Sequence, residues 1–360
     1  MNRRRVLVTG TGGRSLGSGI LHALTRTGDI GCRDRWEVVA ADADPYSFGL
    51  YQTKLRVILP LATAPDYLAK VREVIDRFGI AAVLPGTEME TALLVAEAEK
   101  LGSVKVIGNR PELMPLMMDK SLLSSCLAEI GIDTPDTAPA SAWEVFLRGH
   151  DFPIILKPAA GTGGSRGVKI ITREQQLRIA VEEVGERLDN FLVQEYVGSK
   201  DGEFTVGVLT DRDGSLIDSI VLQRKLMGLS LLDNVTHEGR EYAISTGYSQ
   251  GFIVDHERVK TACERAALRL GSRGPLNLQL RVDGERIVVF EVHPRFSGTT
   301  PIRADAGYNE PDVLLRNFLD GETFGRLGYR SNMVAIRAFE HVLVPMEEFE
   351  ELGGKLPHVG

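Results

Sequence analysis

Between residues 4 and 110 short apolar strands alternate with helices, and that alternation restricts the fold more than any other feature. Residues 5–9, 36–41, 81–84 and 104–107 read as strands; residues 18–27, 65–78 and 90–101 read as helices. Strands interleaved with helices at this spacing predict a parallel, doubly wound α/β sheet. The first strand-to-helix turn, TGTGGRSLGSG, with Asp42 and Asp44 after the second strand, is close to a dinucleotide-binding fingerprint. However, the third glycine is displaced to Gly17, and a tight turn needs glycines for its own backbone. Glu88 and Glu90 follow Pro85-Gly86-Thr87 at the carboxyl end of another strand, where open α/β sheets bind ligands. They are substrate-side candidates, or else acids favoured at a helix N-terminus by its dipole.

From Pro111 the pattern changes to α+β. Residues 113–131 read as one helix containing Asp119-Lys120. The stretch FPIILKPAAGTGGSRGVKII reads as two strands around a loop with Gly161, Gly163, Gly164, Ser165 and Gly167. Its glycines free backbone amides to converge on an anion, and Lys157 is a fixed cation beside them. The loop lacks the ending of a P-loop, and a merely mobile hairpin connection is the plainer alternative. Strands are predicted at 191–197, 204–209 and 216–222, helices at 174–188 and 256–270. Residues 226–246 are read as an unassigned stretch with a mobile loop around His237. A helix at 311–319, a strand at 334–339 and a partly disordered tail from 347 complete the chain.

Residues 276–300, LNLQLRVDGERIVVFEVHPRFSGTT, form a predicted hairpin around Asp283-Gly284. Asn277, Gln279, Glu291 and His293 alternate with an apolar set. A two-residue turn would put Gln279 and Glu291 on opposite faces, so a three-residue loop, Val282-Asp283-Gly284, is expected. A carboxylate, an amide oxygen and an imidazole on one face, followed by Arg295, suit a metal-bound polyphosphate. A half-solvated antiparallel hairpin shows the same alternation, and the hairpin by itself does not separate the two.

The 360 residues allow two or three domains, and a net charge of -7 argues against a general nucleic-acid or anionic-membrane binder. No apolar run approaches a membrane span, and the basic N-terminus leads into a strand rather than a signal peptide. Cys32, Cys126 and Cys263 show no metal or redox spacing. The expected setting is a reducing cytoplasm.

Taken together, VLVTGTGGRSLG, Asp119-Lys120, ILKPAAGTGGSRGV, VQEYV, GEFTVGV, NLQLRV and FEVHPRFSGTT resemble, in order, the ATP-grasp superfamily and its carbamoyl-phosphate-synthetase-like carboxylate–amine ligases. The resemblance implies a Rossmann-like pre-ATP-grasp domain over residues 1–110. A linker helix and lid subdomain would follow over 111–198, a large subdomain with the metal site over 199–345, and a tail over 346–360. It implies phosphate contacts from Lys120 and Lys157, a lid over residues 161–167, adenine contacts from Gln194, Glu195 and Val197, and a ribose-binding acid at Glu203. Gln279 and Glu291 match Mg²⁺ ligands, usually of two ions; His293 stands where the family commonly has asparagine. There it would hydrogen-bond a phosphate, position Glu291 or favour Mn²⁺. Arg295 matches an arginine near the transferred phosphate. Arg224, Lys225 and His237 lie where related ligases place catalytic or substrate-side groups, and Arg303 could grip a carboxylate. In this family the glycine-rich domain serves the acceptor, so Asp42 and Asp44 lose the ribose role.

The activity implied is phosphoryl transfer from ATP to a carboxylate, followed by attack of an amine on the acyl phosphate. Small-molecule carboxylate and amine partners follow, and dimerisation is common in the superfamily. A carboxylase or purine-pathway enzyme of the same architecture, and a regulatory subunit that binds ATP without turnover, are the alternatives.

Overall fold

The structure, a computed structural model, describes residues 3–13, 15–28, 30–159 and 165–355. The first sheet holds β1 (Arg4–Val8), β2 (Trp36–Asp42), β3 (Leu55–Ile58), β4 (Ile80–Leu84) and β5 (Lys105–Val106), all parallel in the order β3-β2-β1-β4-β5. Its strands are apolar on both sides because both faces are covered. Leu7, Val39 and Val83 pack on the helix Tyr67–Phe78, while Val6, Val8, Ala40 and Leu84 pack toward the helices Leu16–Thr25 and Glu310–Asp320.

The glycines of the first turn serve close packing of backbone. Gly10 sits at φ 54°, and a Cβ on Gly86 would run into the Thr9 carbonyl. The amides of Leu16 and Gly17, which a pyrophosphate would need, donate instead to the Gly86 carbonyl at 2.9 and 3.2 Å. Asp42 is likewise occupied, accepting from the amides of Gly12 and Asp44. The turn is therefore built for the sheet and not for a dinucleotide.

A second sheet consists of β6 (Thr137–Pro139), β7 (Ile154–Pro158), β8 (Lys169–Ile171) and β9 (Phe191–Glu195), ordered β6-β9-β7-β8, with the helix Glu174–Val184 on one face. The largest sheet starts with β10 (Glu203–Thr210) and β11 (Leu216–Arg224). Next comes a separate pair, β12 (Leu231–His237) and β13 (Arg240–Ser245). Then β14 (Gly251–Val254), β15 (Pro275–Asp283), β16 (Arg286–His293) and β17 (Met333–Ala335) complete the large sheet in the order β16-β15-β10-β11-β14-β17. Val206, Leu278 and Leu280 face the helix Glu257–Arg269 and the apolar side of Lys120–Glu129, whereas Ile220 and Leu222 join the core shared with the first sheet.

Four expectations are corrected here. The helix predicted over 113–131 breaks at Asp119, which leaves the helical region at ψ 107° and accepts from the Leu122 amide, so that Lys120 opens a new helix. Residues 226–246 are not a loop but carry the β12–β13 hairpin. The tail contains the helix Met346–Glu351, tied back by the Arg56–Glu348 ion pair and by Tyr46 against Phe349. The 276–300 hairpin turns through two residues, Gly284 and Glu285, not three.

Candidate active site

One cavity of about 790 Å³ takes its wall from all three larger sheets, with Gly86 and Glu88 after β4, Lys157 on β7, Gln194 on β9, and Gln279 and Glu291 on β15 and β16. A two-residue turn should have separated Gln279 from Glu291. The strands repair the parity with a bulge: Leu280 pairs with Val289, Gln279 pairs with Glu291, and Phe290 is the extra residue between them. Phe290 also lines the cavity. The expected face is thus assembled by a different device.

Burial alone would push the Glu291 carboxyl up. The His293 hydrogen bond and the charges of His293, Lys120 and Lys157 overrule it and hold it at about 2. His293 Nε2 lies 3.1 Å from Glu291 Oε2, while its buried Nδ1 has no hydrogen-bond partner and lies 3.6 Å from Glu88 Oε1. His293, itself on the cavity wall, therefore holds Glu291 through Nε2.

Lys157 is 7% exposed and donates to Gln194 Oε1 at 2.9 Å; Gln194 in turn donates to Thr137, which fixes the amide and through it the lysine. Lys120 donates to the Pro158 carbonyl at 3.1 Å. Among the described residues neither lysine is in an ion pair. Burial lowers the pKa of both, and with the Lys120 charge beside it Lys157 is pushed down to about 8. Two desolvated cations that share one ionised carboxylate form a site short of anionic oxygens.

Gln279 makes no hydrogen bond to protein among the described residues, so its amide oxygen is unspent beside Glu291. Among those residues no group of three or more His, Cys, Asp or Glu is placed to hold a metal ion. One carboxylate and one amide oxygen suit Mg²⁺, which takes hard oxygens and fills its octahedron with water and substrate phosphate. The donor set fits an ion that arrives with a nucleotide.

Arg295 donates to Glu88 Oε1 at 2.6 Å and to the Phe296 carbonyl, joining the first sheet to the end of β16. Burial raises the Glu88 pKa, but the charges of Arg295 and His293 outweigh it and the net shift is downward. Val197 is buried at the cavity wall, which Ser165 also lines; Gly167 takes φ 75° nearby. Gly161, Gly163 and Gly164 lie outside the described residues.

Residues 187–341 match the family described as "ATP-grasp in the biosynthetic pathway with Ter operon". The chain is 24% identical over 366 residues to the carbamoyl phosphate synthase large chain of Vibrio cholerae, covering 97% of itself and 32% of that protein. The chain resembles ATP-grasp proteins over that stretch and in its fold. It spans about a third of the length of the curated relatives it matches. Among solved structures it resembles the biotin carboxylase domain of Hydrogenobacter thermophilus 2-oxoglutarate carboxylase, crystallised with MgADP, ADP and bicarbonate, with a TM-score of 0.62 at 18% identity over 91% of this chain and 71% of that one. It also resembles an L-amino acid ligase from Bacillus licheniformis, with a TM-score of 0.59 at 17% identity over 89% of this chain and 75% of that one. At these identities the structural likeness speaks for the fold.

Several residues expected to serve this site have side chains engaged by partners within the chain. Glu203, 1% exposed, gives one oxygen to Arg224 and the other to Arg281, both at 2.7 Å, so it is not a free acid awaiting a ribose. Burial raises its pKa, yet the Arg224 and Arg281 charges carry the net shift downward. The Glu195 carboxylate accepts from Arg286 at 2.9 Å and from the Asp136 amide at 3.0 Å, while the residue lines the cavity between Gln194 and Tyr196. Arg303 is 2% exposed and closed by Glu310 and Asn277, so it belongs to the core and grips no substrate carboxylate. Lys225 turns outward to Asp201 at 3.3 Å. His237 ends β12 beside Glu238 and is not part of the cavity wall.

On β11, Ile220, Leu222 and Arg224 alternate on one face, which puts Arg224 and not Lys225 at the cavity; that alternation is legible in sequence. Sequence reading does not single out Arg281. The register that sets it opposite Glu203 depends on which strands pair, and only the fold shows that.

Proposed function

We propose that this chain is an ATP-dependent ligase joining a small-molecule carboxylate to an amine through an acyl phosphate. The reading rests on one observation: Lys120 and Lys157, without ion-pair partners among the described residues, converge beside an ionised Glu291 and an unspent Gln279 in a cavity shared with the first sheet. The two lysines would bind the nucleotide phosphates, and Gln194 and Val197 would line the adenine end. Glu291 and Gln279 would hold Mg²⁺, which neutralises charge on the transferred phosphoryl group. His293 would keep Glu291 oriented. Arg295, held by Glu88 at the border of the first sheet, would meet the reacting carboxylate. Residues 161–167 would exclude water from the hydrolysis-prone acyl phosphate.

In this reading residues 1–110 serve the acceptor, 111–198 carry the lid, 199–345 carry the metal side, and 346–360 form a tail. The setting would be cytoplasmic. Homodimers are an arrangement the biotin carboxylase neighbour shows for itself.

ADP release measured against carboxylates and amines, alone and in pairs, tests the reading. Dependence on both supports it. Dependence on bicarbonate would replace it with a carboxylase, and nucleotide binding without turnover with a regulatory protein. Glu291→Ala is expected to abolish turnover, while His293→Asn, which keeps a hydrogen-bond donor next to Glu291, retains activity. Robust turnover by the Glu291 variant would sink the metal assignment.

A further inference from the structure

The first sheet gives the cavity a wall unlike the one around Lys120 and Lys157. Its strand ends meet there: Gly10 follows β1, Asp42 closes β2, Leu61 follows β3, and Met89 and Glu90 follow β4. The Leu59 amide donates to the Asp42 carbonyl, and the Ala64 amide to the Leu61 carbonyl, so residues 60–63 turn beside the end of β2. The Tyr67 amide donates to the Ala64 carbonyl, and the Tyr67 hydroxyl reaches Glu90 Oε1 at 2.8 Å, which ties this turn to the end of β4. Leu61 is 67% exposed and Met89 57%; among the described residues no other large apolar side chain on the cavity wall is exposed.

This end of the cavity is also negative. Among the described residues the first sheet puts no lysine, arginine or histidine on the wall. Glu88 is paired with Arg295, and Asp42 accepts from two amides. Glu90 is 7% exposed and in no ion pair among the described residues; its oxygens accept from the Tyr67 and Thr87 hydroxyls, which leaves each with acceptor capacity. A glutamate that merely caps its helix would bond the Thr87 amide. Glu90 bonds the Thr87 hydroxyl instead, and its Oε2 lies against Gly10, where a Cβ would be 2.5 Å away. Glycine at that position keeps the oxygen free of a covering side chain. A desolvated carboxylate is costly unless a cation completes it, and apolar side chains on the wall of a cavity suit an apolar ligand.

We propose that this end of the cavity binds the nitrogen nucleophile, with Glu90 receiving its ammonium group and Leu61 and Met89 covering its chain, so that the acceptor is an apolar primary amine. That the bound amine is the nucleophile rests on the ligase reading; the binding of an apolar cation does not. Glu90 selects an amine over an alcohol or an acid, and the two apolar side chains select a long chain over a short one.

The test is calorimetric titration of the full chain, without nucleotide, with ethylamine, hexylamine, hexanol and hexanoate. Hexylamine is expected to bind about tenfold more tightly than ethylamine, a fully buried methylene being worth roughly fourfold, and about tenfold more tightly than hexanol. Leu61→Ser combined with Met89→Ser should erase the preference for the longer amine and keep that for amine over alcohol; Glu90→Gln should do the reverse. In ADP-release assays with a carboxylate, the double serine variant should raise the KM for hexylamine about tenfold without moving the KM for ATP. Equal binding of ethylamine and hexylamine, or of hexylamine and hexanol, by the wild type would overturn the subsite. Tighter binding of hexanoate, or preferences that survive both variants, would do the same. If Glu90→Gln fails to fold, the serine variant, changed only at exposed positions, still decides. ADP release with polar amines while alkylamines stay inert would overturn the subsite and keep the ligase reading. Selective binding of hexylamine without ADP release from any pair would refute the ligase reading and leave the subsite standing.

Discussion

Asn277 and Gln279 stand two residues apart on one face of β15 and both line the cavity, but their amides are engaged differently. Asn277 accepts from Thr205 at 3.0 Å and from Arg303 at 2.6 Å; Arg303 continues to Glu310, and Glu310 accepts from Thr300. Nearly every strong donor and acceptor in that network has a partner within the chain. Gln279, beside Glu291 and two unpaired lysines, has none among the described residues. Within one pleat of the cavity wall the polar face thus passes from an amide bound into the buried network to one left unspent. Residue type does not mark the site: arginine and glutamate are buried in both places. Unspent capacity at a half-buried position on the cavity wall marks it, because there a ligand can supply the partner.

The comparison breaks first at Arg303. Gly207 leaves the room for this pair, since a Cβ there would strike the Arg303 guanidinium. Arg303→Met removes one member of a buried pair and strands Glu310, with an expected loss of about 3–5 kcal/mol in denaturant unfolding. A loss below about 1 kcal/mol would show that Glu310 finds another partner and that the network is not closed.

Much of the fold is legible because its signals are local. The strand–helix alternation before Pro111 and the two-residue periodicity of β15 and β16 need no knowledge of the rest of the chain. Lys157 and Glu291 are legible as well, each at a defined place on a strand. What escapes is set by pairing across long sequence distances. Arg303 reads as a substrate grip until Glu310 and Asn277 close around it, and Glu203 reads as a free acid until the register places Arg281 opposite. The bulge at Phe290 escapes for another reason. Turn length and strand parity are alternative ways to bring Gln279 and Glu291 together, and their sequence leaves both open.

At the open end the comparison sharpens with Lys157→Met. Lys157 is in no ion pair among the described residues, and Glu291 keeps His293 and Lys120 beside it, so the nucleotide-free protein should lose far less stability than with Arg303→Met. ATP affinity should fall by about 30- to 100-fold, the worth of one charge-assisted hydrogen bond to phosphate. Thermal unfolding with and without MgATP reads both quantities. A strongly destabilised variant would place Lys157 with the closed network instead.

The smallest effect tests the same residue without touching the ligand. Lys157 has a pKa of about 8 in the folded chain, and a lysine in the unfolded chain titrates near ~10.4. Below about 8 both states hold the proton, and the cost of burying the charge is fully present. Between about 8 and 10.4 the unfolded state holds more protons than the folded one, so stability contributed by this group rises with pH. The slope for one proton cannot exceed about 1.4 kcal/mol per pH unit. Other lysines and tyrosines titrate in the same window, and only a comparison isolates Lys157. The wild type should gain stability between pH 8 and 10 relative to Lys157→Met, and saturating ATP should flatten the difference by restoring a counter-charge. Parallel pH profiles for the two proteins would mean that Lys157 already has its counter-charge within the chain, and the contrast between Asn277 and Gln279 would lose its energetic meaning.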